Sequence, residues 1–185
     1  MFSMEEYKEA VRYFASKKKN FDIHNEGNDC AKVIFTNLFL NASNEIRIVA
    51  NTLRNPVVDS PDYQDALCSF LAREDSTLHI IINHLPDTVG DATNQNIYRR
   101  LYLHPAYKEG RIIIKNAGRD RFFLRKKPVN FCVADGLMYR VENDIEKRTA
   151  FCNFGNPEKA EPLERLFDNV FDKIEDKVDL NNYFA

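Results

Sequence analysis

Three apolar runs, each entered through a segment of helical periodicity, constrain this chain more than any other feature. The runs are EIRIVA at 45–50, TLHIIIN at 77–83 and RIIIK at 111–115. They are short and rich in β-branched residues, as buried strands are. Before the first run, Ala31, Ile34, Phe35, Leu38, Phe39 and Ala42 recur at helical spacing. Before the second, Ser60-Pro61 supplies an N-cap and a first-position proline, and Tyr63, Ala66, Leu67, Phe70 and Leu71 form the apolar stripe. Ile97 to Tyr107 is more weakly helical and ends at Gly110. Alternating helices and strands predict a parallel sheet with crossover helices.

The flanks add to this plan. Met4, Tyr7, Val11 and Phe14 predict an opening helix, followed by a loop over 20–27. Val129 to Ala134 and Leu137 to Glu142 flank Asp135-Gly136, a hairpin signal, and Thr149 to Phe154 reads as a last strand. Leu163, Leu166, Phe167, Val170, Phe171 and Ile174 mark a closing helix. Pro162 would break a helix interior, which places its start near Glu161. The expected organisation is an N-terminal helix and loop over 1–26, one α/β domain over 27–175, and a tail over 176–185. The fold class is α/β, a mixed, largely parallel sheet flanked by helices.

A length of 185 residues suits one domain, and a net charge of -2 argues against an overall basic coat for nucleic acid. The four cysteines (Cys30, Cys68, Cys132 and Cys152) form no CxxC pair. Scattered thiols in apolar stretches read as buried hydrophobes in a reducing compartment. The N-terminus has early acids and no apolar run, unlike a signal peptide, and no stretch is apolar enough to span a membrane. The cytoplasm is the expected location. No cofactor and no metal site is expected.

Several residues carry chemistry worth locating. His84 and His104 are candidate acid–base groups, and Asp87 stands near His84 in the same predicted loop. His24 and His79 join no metal-binding pattern. Arg54 follows the first strand, where a guanidinium meets anions well. Arg119, Arg121, Arg125, Lys126 and Lys127 surround Phe122 and Phe123. Cations interleaved with aromatics suit single-stranded nucleic acid, although a solvated loop with two core-plugging Phe is the simpler reading. Asp22, Glu26 and Asp29 form a loose acidic group before a helix.

The order of elements resembles one repeat of the phospholipase D-like superfamily over residues 27–175. The resemblance rests on EIRIVANTL, LHIIIN, RIIIK, VNFCVADGLMYRVE and AFCNFGNPEKA. Active members of that family carry His-x-Lys, an Asp after four further residues, and Gly-Ser-x-Asn. The His is the nucleophile, and the Lys and Asn hold phosphate oxygens. In this chain the resemblance sets Asn130 at the His position, Cys132 at the Lys position and Leu137 at the Asp position, with Asp135 two residues earlier. Asn153 alone matches the Asn of the clamp. An amide cannot replace imidazole as a nucleophile, nor a thiol an ammonium as a clamp.

The resemblance therefore implies a non-catalytic module with a vestigial cleft of Asn130, Cys132, Asp135 and Asn153. Single-repeat members pair two copies, so it also implies a homodimer. Such a module would serve as a scaffold, sensor or accessory subunit in a bacterial system, with a protein partner. The alternatives are a phosphodiesterase or nuclease with relocated residues, using His84 or His104 with Asn153 across a dimer, and a nucleic-acid-binding module around 119–127.

Overall fold

A computed structural model describes residues 3–118, 123–124 and 127–185. The chain opens with α1 (Met4–Ser16), where Ser3 and Glu6 form a reciprocal capping box. Next come β1 (Ile23–Asn25), α2 (Gly27–Asn41) and β2 (Glu45–Ala50). β1 lies in a stretch expected as a loop, because three residues are too few to display strand alternation.

α3 (Pro61–Leu71) is capped by Ser60 and leads to β3 (Thr77–Ile82). A 3-10 turn (Asp87–Gly90) precedes α4 (Ile97–Leu103), α5 (Pro105–Lys108) and β4 (Ile112–Asn116). A small ribbon, β5 (Phe123–Leu124) with β6 (Lys127–Pro128), stands apart from the main sheet. Then β7 (Phe131–Ala134), β8 (Met138–Asp144) and β9 (Thr149–Asn153) form a meander. α6 (Pro157–Phe171) and α7 (Asn181–Phe184) close the chain.

The main sheet is mixed, with seven strands in the order β1-β9-β8-β7-β2-β3-β4. β2, β3 and β4 pair in parallel, as the helix–strand alternation predicts. β7 joins β2 antiparallel, and β8, β9 and β1 continue antiparallel. The predicted hairpin forms at Asp135-Gly136, with φ of 55° and 60° at the two positions. Positive φ at both turn residues gives a twist that matches the strands.

Two predicted boundaries move. α6 begins at Pro157 instead of near Glu161, because Asn156 accepts a bond from Lys159 N at 3.2 Å and Pro157 takes the first helical position. Pro162 then forfeits only one backbone bond in an early turn. Residues 176–185, expected as a tail, run along the edge of β4. Asn116 N bonds Asp176 O at 2.8 Å, and Val178 N bonds Ile114 O at 2.9 Å. Leu180 is buried, and Phe184 packs on Tyr102. This segment covers a strand edge that would otherwise be open.

Strand alternation divides the core in two. One face holds Ile46, Ile48, Cys132, Ala134, Met138 and Cys152, packed with Ile34, Leu38, Phe39 and Phe70 of α2 and α3. The other holds Val49, Ile81, Phe131, Val133 and Tyr139, packed with Ala160, Phe167 and Phe171 of α6.

A charged cluster clasps α6 to its face. Arg47 of β2 contacts Asp168 through Nε at 2.7 Å and Nη2 at 3.1 Å. Its Nη1 lies 2.6 Å from Glu164 Oε1 and 2.9 Å from Glu45 Oε1. Burial, reinforced by the bond that its acid form donates to Glu45, raises the Glu164 carboxyl from 4.5 to about 7, outweighing Arg47. Burial would raise Glu45 too, but the Glu164 proton and Arg47 hold it low. Folded protein thus retains a proton on Glu164 between pH 4.5 and about 7 that unfolded chain has released. Stability falls as pH rises through that window. Glu164→Gln, which mimics the protonated acid, is expected to match the native chain near pH 5. Near pH 8 it should exceed the native chain by about 1–2 kcal/mol, solvent screening included. Thermal unfolding of both proteins across this range checks it. His79 stacks on Phe171 on the same face, and its depressed pKa works in the opposite direction, so the difference between the two curves isolates Glu164.

Candidate functional site

A cleft opens at the carboxyl end of β2, on the face covered by α2 and α3, with room for ≈ 120 Å³. Its polar lining includes Asn130, Arg140, Glu142 and Arg148, with Phe35 and Tyr63 on the apolar side. Alternation along the hairpin puts Asn130, Cys132, Arg140 and Glu142 on one face, with Cys132 directly opposite Arg140.

Glu142 is the hub of the cleft floor. Its Oε2 accepts a bond from Asn130 Nδ2 at 2.7 Å. Its Oε1 lies 3.4 Å from Arg140 Nη2 and 3.7 Å from Arg148 Nη1. Arg140 is 2 % exposed and its guanidinium stacks over Phe35 at 4.8 Å. Burial lowers its pKa, partly offset by Glu142. Arg140 Nε and Asn130 Oδ1 are buried without a hydrogen-bond partner.

The residues that the resemblance gathers into one site are not gathered in space. Asn130 lines the cleft. Cys132 is fully buried beneath it, and burial pushes its thiol far up. Asp135 sits at the opposite end of β7, where its carboxylate accepts bonds from Ser43 N, Asn44 N and Glu45 N at 2.7, 2.9 and 3.0 Å. That role pins the hairpin to the start of β2. Asn153 lies at the same far end on the α6 face, opposite Tyr139. Its amide donates to Asn20 Oδ1 at 2.9 Å and Asp22 Oδ1 at 2.8 Å, and its oxygen accepts from Gly155 N at 2.9 Å.

The histidines also stand apart. His84 is exposed just beyond the carboxyl end of β3. His104 precedes β4 at the other end of the sheet, where its Nδ1 accepts from Ala106 N at 3.2 Å and caps α5. Arg54 lines the cleft, but its charge is engaged. Its Nε lies 3.2 Å from Asp59, and its Nη1 donates to Thr88 O at 3.1 Å. Arg119, Arg121, Arg125 and Lys126 lie outside the described residues, and Lys127 lies in β6. No group of acidic, Cys and His side chains suited to a metal forms among the described residues.

No protein-family model and no curated protein sequence matches the chain. Solved structures do. Nuc of Salmonella typhimurium, a phospholipase D family member, superposes with a TM-score of 0.58 at 13% identity, covering 85% of this chain and 98% of Nuc. The fold is phospholipase D-like. Phosphatidylserine synthase of Haemophilus influenzae Rd KW20 matches with a TM-score of 0.54 at 10% identity, over 89% of this chain and 41% of the synthase. The archaeal chromatin protein TrmBL2 matches with a TM-score of 0.56 at 13% identity, over 93% of this chain and 62% of TrmBL2. In this phospholipase D-like fold, sequence reasoning missed Arg140, Glu142 and Arg148. The signal was present, because Arg140 and Glu142 sit two apart in an apolar strand and so share the face of Cys132.

The thiols offer a direct check on this geometry. Cys132 and Cys152 are sealed in the core, and burial pushes Cys152 up to about 12. Cys30 and Cys68 are only half-buried. In native protein near pH 7.5, iodoacetamide is expected to modify Cys30 and Cys68 first, with Cys132 and Cys152 reacting only on unfolding. Peptide mass spectrometry after timed quenching reads the order.

Proposed function

We propose that this chain is a non-catalytic phospholipase D-like module that works as a homodimeric scaffold, sensor or accessory subunit. One observation carries the reading. The cleft at the end of β2 presents an amide already bonded to Glu142 where the resemblance sets the nucleophile, and no histidine lines it among the described residues. Cys132, set at the clamp position, is a buried neutral thiol and offers no charge to a phosphate. His84 and His104 stand at opposite ends of the sheet, so the rival reading with relocated residues cannot join the two within one chain. A reducing cytoplasm fits the four free thiols, and no described helix is long and apolar enough to cross a membrane.

The purified chain is expected to show no hydrolysis of bis-p-nitrophenyl phosphate above buffer, and to sediment as a dimer. Turnover that disappears on Asn130→Ala would return the chain to the enzymes. Turnover lost instead on His84→Ala or His104→Ala would favour the relocated-site reading. A monomer at micromolar concentration would remove the two-fold part of the proposal.

A second reading is nucleic-acid binding. It draws on the similarity to TrmBL2, whose structure is described as showing a novel mode of DNA binding, and on the cations of 119–127. Binding of short single- or double-stranded DNA at low salt, weakening steeply at higher salt, is the expected signature. No binding at low salt ends this reading.

A further inference from the structure

The floor of the cleft has more positive charge than its own partners absorb. Arg140 and Arg148 both turn to one oxygen of Glu142, at 3.4 and 3.7 Å, distances at the loose end of an ion pair. Arg54 is neutralised by Asp59 outside the lining, which leaves two guanidinium groups against one carboxylate. Arg140 is 2 % exposed and 3 % exposed in its side chain, so bulk solvent screens its charge little. A guanidinium has five N–H donors, and a buried one with Nε unpartnered is costly unless an anion completes it.

The charge balance narrows the class of anion. With Glu142 in place the floor carries one net positive charge, which a singly charged group cancels and a doubly charged phosphate over-compensates against Glu142. The planar fork of a carboxylate matches a guanidinium edge. The remaining wall combines apolar Phe35, Leu53, Val58, Tyr63 and Ile145 with polar Asn51, Thr52 and Asn55. The space of ≈ 120 Å³ admits a compact molecule only.

We propose that this cleft binds the carboxylate of a small, largely apolar organic acid between Arg140 and Arg148. The carboxylate lies against the two guanidinium groups, and the apolar body of the acid rests on Phe35 and Tyr63. Glu142, held by Asn130, limits the site to one negative charge. The site does not depend on the absence of turnover, so a binding measurement tests it separately from the non-catalytic reading.

The experiment titrates the full-length native chain with benzoate and butyrate, and in parallel with inorganic phosphate and dimethyl phosphate. Binding is followed by amide NMR shifts and by thermal unfolding. Benzoate or butyrate is expected to bind in about the millimolar range, given its size. It should shift the amides of 140–142 and 148, while phosphate is weaker. Arg148→Gln, at a half-buried turn position, should weaken the carboxylate about tenfold or more, with its unfolding curve recorded alongside. Arg140→Met should do the same where it folds, with its unfolding curve recorded alongside. Tighter binding of inorganic or dimethyl phosphate would reassign the cleft to a phosphoryl group and overturn the proposal. So would no shift with either acid, or unchanged affinity in Arg148→Gln.

Discussion

The two-residue period of the strands β7 and β8 governs everything else about this molecule. β2 is paired on both sides, with β3 parallel and β7 antiparallel, so its register fixes the register of the hairpin that follows. Once Ile48 faces Cys132 across that seam, Arg140 must face the same way. A slip of one residue would turn Arg140 and Glu142 toward α6 and push Tyr139 and Val141 into the cleft. The hairpin turn at Asp135-Gly136 prevents it, because Asp135 also clamps three amides at the start of β2.

Much of this was legible in the sequence. The three apolar runs announced the parallel strands, Ser60-Pro61 announced α3, and Asp135-Gly136 announced the hairpin, because each signal is local and strong. β1 was hidden, since a three-residue edge strand gains its pairing from β9 and not from its own pattern. The end of the chain read as a tail because Val178 and Leu180 are isolated apolar residues. Their burial depends on the edge of β4 and on Tyr107, which lie far away in sequence.

The candidate site was less legible for the same reason. Linear motif positions place Asn130, Cys132, Asp135 and Asn153 in one set, but a motif does not say which face each residue takes. Asp135 and Asn153 have their polar atoms committed to holding loops and strand starts together. Arg140 and Glu142 are polar residues within a largely apolar strand. Their meaning appeared only when the sheet put them beside Asn130 and under Phe35.

Cys132 and Arg140 then explain one another. They are cross-strand partners on one face, and a small thiol leaves the space above it that a long guanidinium needs. A long cation at 132 would compete with Arg140 for that space and repel its charge. The positive charge of the cleft floor therefore comes from Arg140 of β8 and Arg148 beyond it, and is balanced in part by Glu142. A guanidinium stacked on an aromatic ring and tied to a carboxylate is a poor proton shuttle and no nucleophile, because all its N–H groups are donors and it offers no acceptor. It can hold an anion in place.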